Sequence, residues 1–242
     1  MEALIFDCDG VLADTERDGH RVAFNRAFAA EGLAVTWDTA LYGRLLLIGG
    51  GKERMRAYFD EAGWPVPPAE RDAFIGRLHA LKTDFFMQTI SSGELPVRPG
   101  ICRIVDEAYA AGVVLAVCST SAERAVREVV RRLLGPQREA RFAGIFAGDI
   151  VAKKKPDPAI YQYAARELSL DPQRCLVVED SRNGLLAALG AGMKCVVTQS
   201  AYTAEEDFTG AAAVYPDLGD PPGRRVSLAD LERHFTPTPI HS

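Results

Sequence analysis

No run in this 242-residue chain approaches the roughly 20 consecutive apolar residues needed to cross a bilayer, so no membrane-spanning helix is expected. Behind Met1 there is no basic segment, signal-length apolar stretch or small-residue cleavage site, and cytoplasmic residence is the expectation. Excess positive charge is also missing. With 33 acids against 28 bases the net charge is −5, a field that repels nucleic acid and anionic lipid, so an anionic ligand needs a local basic pocket. The five cysteines (Cys8, Cys102, Cys118, Cys175, Cys195) show no CxxC or Cys/His spacing and read as reduced core thiols. A P-loop is absent: in Gly49-Gly50-Gly51-Lys52, Leu46 and Glu53 stand where the first glycine and the Ser or Thr belong. Internal repeats and low-complexity tracts are lacking as well.

What is present is ordinary globular composition, 48% hydrophobic and 25% charged. Short apolar runs at Ala3 to Phe6, Val113 to Cys118, Cys175 to Val178 and Lys194 to Val197 alternate with amphipathic helical patterns. This is the signature of an α/β fold, with a Rossmann-like parallel sheet whose strands are buried on both faces. About a hundred residues separate the first two runs, far more than one crossover needs. Helical spacing fills the gap: Val22, Phe24, Ala27 and Phe28 before Gly32; Met55, Phe59 and Ala62 before Gly63; and Phe74, Leu78, Leu81 and Phe85 after Pro67-Pro68. The expected organisation is an inserted all-α cap over residues 16–95 and a core of residues 1–15 and 96–242, with Pro96 and Pro99 marking the return. The Pro- and Gly-rich stretch after Asp217 reads as a loosely attached edge.

In open parallel sheets the ligand crevice lies beyond the carboxyl ends of the strands. Asp7-Cys8-Asp9-Gly10, Cys118-Ser119-Thr120-Ser121 and Glu179-Asp180 follow three of the apolar runs, bringing four carboxylates and a hydroxyl cluster together. Four close acids stay ionised only beside a cation, and an oxygen-only donor set points to Mg²⁺. A turn at Gly10 lets Asp7 and Asp9 take distinct roles, one attacking phosphorus and the other moving the proton. Lys155, followed by Pro156, supplies a point charge for the phosphoryl group; Lys153 and Lys154 read as a solvated face. Ser119, Thr120 and Ser121 could also cap a helix beginning near Ala122.

With these residues in order, the chain resembles the haloacid dehalogenase superfamily, specifically its phosphatases and phosphomutases with a helical cap. Its motifs stand as Asp7-Cys8-Asp9-Gly10-Val11-Leu12, Ser119, Lys155-Pro156 and Glu179-Asp180-Ser181. The resemblance implies Asp7 as nucleophile, Asp9 as general acid/base, Ser119 and Lys155 as phosphate holders, and Mg²⁺ on Asp7, the Asp9 carbonyl, Glu179 and Asp180. Within the superfamily, Asp14-Thr15-Glu16, His20, Gly49 to Arg54, Lys82 and Leu95 to Gly100 look like the CbbY type. That type implies hydrolysis of xylulose bisphosphate, a small sugar bisphosphate that inhibits Rubisco, and a functional link to Rubisco and the Calvin cycle.

A bisphosphate needs a second cationic site. By the resemblance Lys52 and Lys82 match cap residues that bind the distal phosphate in the mutases. Gly50 and Gly51 amides, Arg54, Arg44, Arg77, Thr120 and Tyr42 join them as candidate substrate contacts, and Glu16 could accept from sugar hydroxyls. His20 and His79 are as readily ordinary histidines. The expected function is therefore a Mg²⁺-dependent sugar-bisphosphate phosphatase. A β-phosphoglucomutase-like mutase is the enzyme alternative, and a receiver-like phosphoacceptor module is the alternative from another class.

Overall fold

A computed structural model describes residues 1–93 and 95–235, the side chains of Arg17 and Asp18 excepted; Glu94 and residues 236–242 of the expected ranges lie outside the described residues. Strand β1 (Ala3–Phe6) leads through a single π-type turn, Glu16–His20, into helices α1 (Arg21–Ala30), α2 (Thr39–Leu45), α3 (Gly51–Ala62) and α4 (Arg71–Ser91). Next come α5 (Ile101–Ala110), β2 (Val114–Ser119), α6 (Glu123–Val129), the short α7 (Pro136–Glu139) and β3 (Phe142–Ala147). The chain finishes with α8 (Ala159–Glu167), β4 (Cys175–Glu179), α9 (Arg182–Gly190), β5 (Lys194–Thr198), β6 (Ala213–Tyr215) and α10 (Leu228–Glu232). No helix among the described residues is long and apolar enough to cross a membrane.

The six strands form one sheet in the order β3-β2-β1-β4-β5-β6, every pair parallel. Successive residues of β1 serve opposite cores. Leu4 and Phe6 join Leu115, Val117, Leu176 and Val178 on one face, while Ala3 and Ile5 join Ala116, Cys118, Cys175 and Val177 on the other. Helices cover both faces, which is why the strands read as unbroken apolar runs rather than alternating ones.

Helices α1 to α4 enclose a third cluster, rich in aromatic rings: Phe24, Phe28, Trp37, Tyr42, Phe59 and Phe74. The stripe expected along α4 is shifted. Leu81 and Phe85 are half-buried, whereas Lys82, Thr83, Phe86 and Ile90 are buried. The physical reason is that α4 serves two clusters: Phe74, Ile75 and Leu78 pack among the helices, while Phe86 and Ile90 belong to the sheet-face core. That division turns Lys82 inward.

Two strands were not anticipated. Strand β3 is an apolar run interrupted by Gly144, and β6 is a three-residue edge too short to stand out. The segment expected to be loose is docked through residue 235: Leu218, Val226, Leu228 and Leu231 are buried, and the Arg103 guanidinium donates to the carbonyls of Leu218, Gly219 and Val226. A few apolar anchors and one arginine outweigh the Pro and Gly content.

The chain leaves the core and returns to it at one place. Ala13 bridges antiparallel to Val97, and the Arg98 N–H donates to Leu12 O at 2.9 Å. The Arg98 guanidinium then donates to the carbonyls of Gly10, Thr198, Gln199 and Pro216, fastening this junction to the end of β5.

Candidate active site

The carboxyl ends of β1, β2 and β4 lie side by side because Phe6 pairs with both Val117 and Val178. The next residue on β1 is Asp7, whose N–H donates to Val178 O at 2.9 Å. Its carboxylate therefore emerges beside Glu179 and Asp180, and one oxygen from each of the three lies within 4.8 Å of the others. Lys155 Nζ bridges the group, donating to Asp7 Oδ1 at 2.6 Å, Glu179 Oε1 at 2.6 Å and Cys118 O at 2.9 Å. Tyr161 OH also donates to Glu179 Oε1.

Burial pushes the Asp7 carboxyl up to about 8, with Lys155 opposing and Glu179 and Asp9 adding to the rise. Burial, then the charges of Glu179 and Asp7, lift Asp180 well above the usual carboxylate range. Lys155 is held charged: burial disfavours its ammonium, but Asp7 and Glu179 raise it above its ordinary value. Three buried carboxylates thus face one ammonium, an arrangement short of positive charge.

Two glycines make the crowding possible. Gly10, at φ +82°, sits where a Cβ would strike the Asp180 carboxylate, and a Cβ on Gly184 would strike that of Glu179. Gly184 lies in the first turn of α9, behind the Ser181 cap. Helix propensity favours Gly184→Ala by about 1 kcal/mol, but overpacking typically costs about 1–3 kcal/mol. Gly184→Ala is therefore expected to lower the melting temperature as it displaces Glu179, measurable by thermal denaturation.

Asp9 is turned away from this cluster. Its Oδ1 accepts from the Thr15 hydroxyl at 2.6 Å and lies 2.8 Å from His20 Nε2; Oδ2 accepts from the Ser121 hydroxyl at 2.5 Å. Burial works against its charge, but His20, Ser121 and Thr15 together hold Asp9 below the usual carboxylate range. Lys82 Nζ lies 2.6 Å from His20 Nδ1, and the His20 ring stacks on Phe86 with centroids 3.8 Å apart. With Nδ1 accepting from Lys82, Nε2–H is left to donate to Asp9. Burial lowers Lys82 to about 8, with Asp9 and Glu16 opposing.

These residues open on a cavity of about 950 Å³, mouth included, between the sheet ends and the helices. The expected residues Asp7, Asp9, Glu16, Gly50, Gly51, Arg54, Lys82, Ser119, Thr120, Lys155, Glu179 and Asp180 all line it. Tyr42 stands one layer behind: its hydroxyl donates to Glu16 Oε2 at 2.5 Å and accepts from Arg54 Nη1 at 3.0 Å.

Besides Tyr42, three expected residues are not among the lining. Lys52 reaches across to Asp149 Oδ2 at 2.5 Å, Arg44 is exposed, and Arg77 is exposed with Glu31 at 3.8 Å. The expected helix cap also differs, since α6 begins after Ala122 without a side-chain cap and Ser121 goes to Asp9 instead.

Both histidines left open, His20 and His79, line the cavity; burial, with Lys82 and Lys52, lowers His79 to about 3 and keeps it neutral. Sequence reasoning missed Asn183, Ser200, Thr203 and Glu206 in the lining. The strand-end rule carried on to β5 finds the segment that holds Ser200, Thr203 and Glu206.

The geometry has counterparts among known proteins. A family model for haloacid dehalogenase-like hydrolases matches residues 1–192. A CBBY-like protein of Arabidopsis thaliana is 58% identical over 231 residues, covering 94% of this chain and 72% of its own length. Protein CbbY of Cupriavidus necator is 43% identical over 244 residues, covering 96% of this chain and 94% of its own. CbbY of Rhodobacter sphaeroides, solved in complex with phosphate, is 40% identical with a TM-score of 0.86, over 96% of this chain and 99% of that one. A mutant of that protein, solved in complex with xylulose-(1,5)bisphosphate, superposes equally well. With a family model matched over residues 1–192 and CbbY relatives similar along nearly the whole chain, this chain belongs to the haloacid dehalogenase-like hydrolases as a phosphatase of the CbbY type.

Proposed function

We propose that the chain is a Mg²⁺-dependent phosphatase that hydrolyses a small sugar bisphosphate, xylulose 1,5-bisphosphate foremost, through an aspartyl phosphate on Asp7. The observation that carries the reading is the trio Asp7, Glu179 and Asp180, with oxygens within 4.8 Å and the Lys155 ammonium bonded to two of them. A hard divalent cation fits such an oxygen-only, charge-deficient donor set. Asp7, Glu179, Asp180 and the Asp9 carbonyl would hold it. When bound, it supplies neutralising charge that keeps Asp7 ionised and shields the phosphoryl oxygens from the carboxylates.

The protein's own groups do the rest. Asp9, ionised through its bonds to His20, Thr15 and Ser121, takes up a proton as the anionic substrate enters beside it; an Asp7 oxygen then attacks phosphorus, and the ester bond breaks with its electron pair on the sugar oxygen, which takes that proton. Asp9 then receives a proton from a water whose oxygen attacks the phosphoryl group, and Asp7 is released. Lys155 and Ser119 hold the transferring phosphate. Across the cavity, Arg54 and Lys82 offer buried positive charge for the distal phosphate, and Glu16 accepts from sugar hydroxyls. The xylulose bisphosphate held by the Rhodobacter relative's mutant supports this substrate. A role in clearing a Rubisco inhibitor goes with it.

Phosphate release from xylulose 1,5-bisphosphate, with ribulose 1,5-bisphosphate alongside, tests the assignment. Rapid release from the first and sparing of the second are expected. EDTA should abolish release and added Mg²⁺ restore it; activity that survives chelation would sink the metal assignment. Conversion to an isomerised monophosphate without free phosphate would make the enzyme a mutase. Activity confined to other phosphosugars would keep the mechanism and remove the substrate.

A further inference from the structure

The two oxygens of Asp9 are not equivalent. Oδ1 is taken twice, by Thr15 Oγ1 at 2.6 Å and His20 Nε2 at 2.8 Å, while Oδ2 has, among the described residues, a single partner, the Ser121 hydroxyl at 2.5 Å. A carboxylate oxygen offers about two lone-pair directions, so Oδ1 is filled and Oδ2 keeps one direction for substrate. Ser121 itself is not free to wander. Its N–H donates to Ser119 Oγ at 3.1 Å, which closes the loop after β2 on the serine beside Asp7 and Lys155. The cap function that would explain a serine here is not exercised, because the N-cap of α6 is Ala122.

We infer that Ser121 is a positioning residue that aims Asp9 Oδ2 at the leaving oxygen and registers that aim to the phosphate site at Ser119. The inference rests on the phosphatase reading above. A hydroxyl suits the task because its donated hydrogen bond occupies one lone pair of Oδ2 whether that oxygen is ionised or carries the proton, which leaves the other direction for the leaving oxygen or the water. In the first half the P–O bond to the sugar breaks, its electron pair stays on the sugar oxygen, and the proton passes there from Oδ2. In the second half a proton of water moves to Oδ2 as the water oxygen bonds phosphorus and the bond to Asp7 breaks. Without the Ser121 hydroxyl the Oδ2 arm swings about the Oδ1 anchor.

The test compares two esters. Xylulose 1,5-bisphosphate leaves as an alkoxide that needs a proton, and any other phosphosugar the wild type cleaves serves equally; 4-nitrophenyl phosphate leaves as a phenolate that does not. kcat/KM reads ester cleavage separately from later hydrolysis of the aspartyl phosphate. Ser121→Ala is expected to lose about 10- to 100-fold on the sugar ester, within the range of general acid catalysis, and to stay near wild type on the nitrophenyl ester. Ser121→Thr, which restores the hydroxyl, should recover most of the loss, with melting curves checking that both variants fold. Equal losses on the two esters, or none on either, would overturn the inference. Asp9→Ala separates the levels: a gap between esters there but not in Ser121→Ala removes only the role of Ser121. No gap in Asp9→Ala removes the acid role of Asp9, and the inference with it.

Discussion

Asp7→Asn is expected to abolish phosphate release, a loss on the order of 10,000-fold or more, as when a covalent nucleophile is removed. The amide keeps the shape and still offers Lys155 an oxygen, so binding of the ester should persist while attack on phosphorus does not. The fold should not suffer. Asp7 is buried among Glu179, Asp180 and Asp9, and its raised protonation shows that burial and neighbouring charge disfavour the carboxylate there. A neutral amide removes one member of that repulsion, so the melting temperature in metal-free buffer should hold or rise. Phosphate release and thermal denaturation of one preparation check both halves; a fall in both would mean that Asp7 is a structural acid.

Lys155→Met is expected to damage stability and activity together. The ammonium is 6% exposed and touches Asp7, Glu179 and the Cys118 carbonyl. Removing one partner of a buried ion pair typically costs about 3–5 kcal/mol, because the remaining charge is left unpaired. Here two carboxylates lose it at once. Methionine fills most of the space, so the loss is electrostatic rather than a cavity effect. Mg²⁺ should return part of the lost melting temperature in Lys155→Met, and by more than it adds to wild type, since it supplies charge the variant lacks. Activity should stay low even with Mg²⁺, because no ammonium then holds the phosphoryl group. An unchanged melting curve in EDTA would contradict the view that Lys155 balances this cluster.

The legible part of this molecule is the part with short-range grammar. Asp7, Ser119 and Glu179-Asp180 stand out because strands buried on both faces write themselves as apolar runs, and the residue after such a run is at the crevice. Helices α1 and α3 were visible from spacing and their terminal glycines. Strand β3 was not, because Gly144 interrupts the run. The illegible contacts join distant positions: Ser121 to Asp9 across 112 residues and Lys52 to Asp149 across 97. Composition marks Lys52 and Arg44 as cations in the right region but says nothing of which way each turns. Lys82 turns inward because α4 changes partners along its length, a property of packing rather than of the local pattern.

The junction at Ala13 and Val97 also bears on how such a protein can change. Because the segment that departs and the segment that returns are already held together, the core meets everything between them as a closed loop. Lengthening a closed loop is cheap, each doubling adding only about 0.6 kcal/mol of closure entropy. The core strands have no such latitude: dropping one residue from the four of β1 would exchange its two faces and retract Asp7 from the crevice. Changes of length are therefore tolerated in the helices that form one wall of the cavity and forbidden in the strand that places Asp7, so that wall can change shape while the carboxylate cluster stays in place.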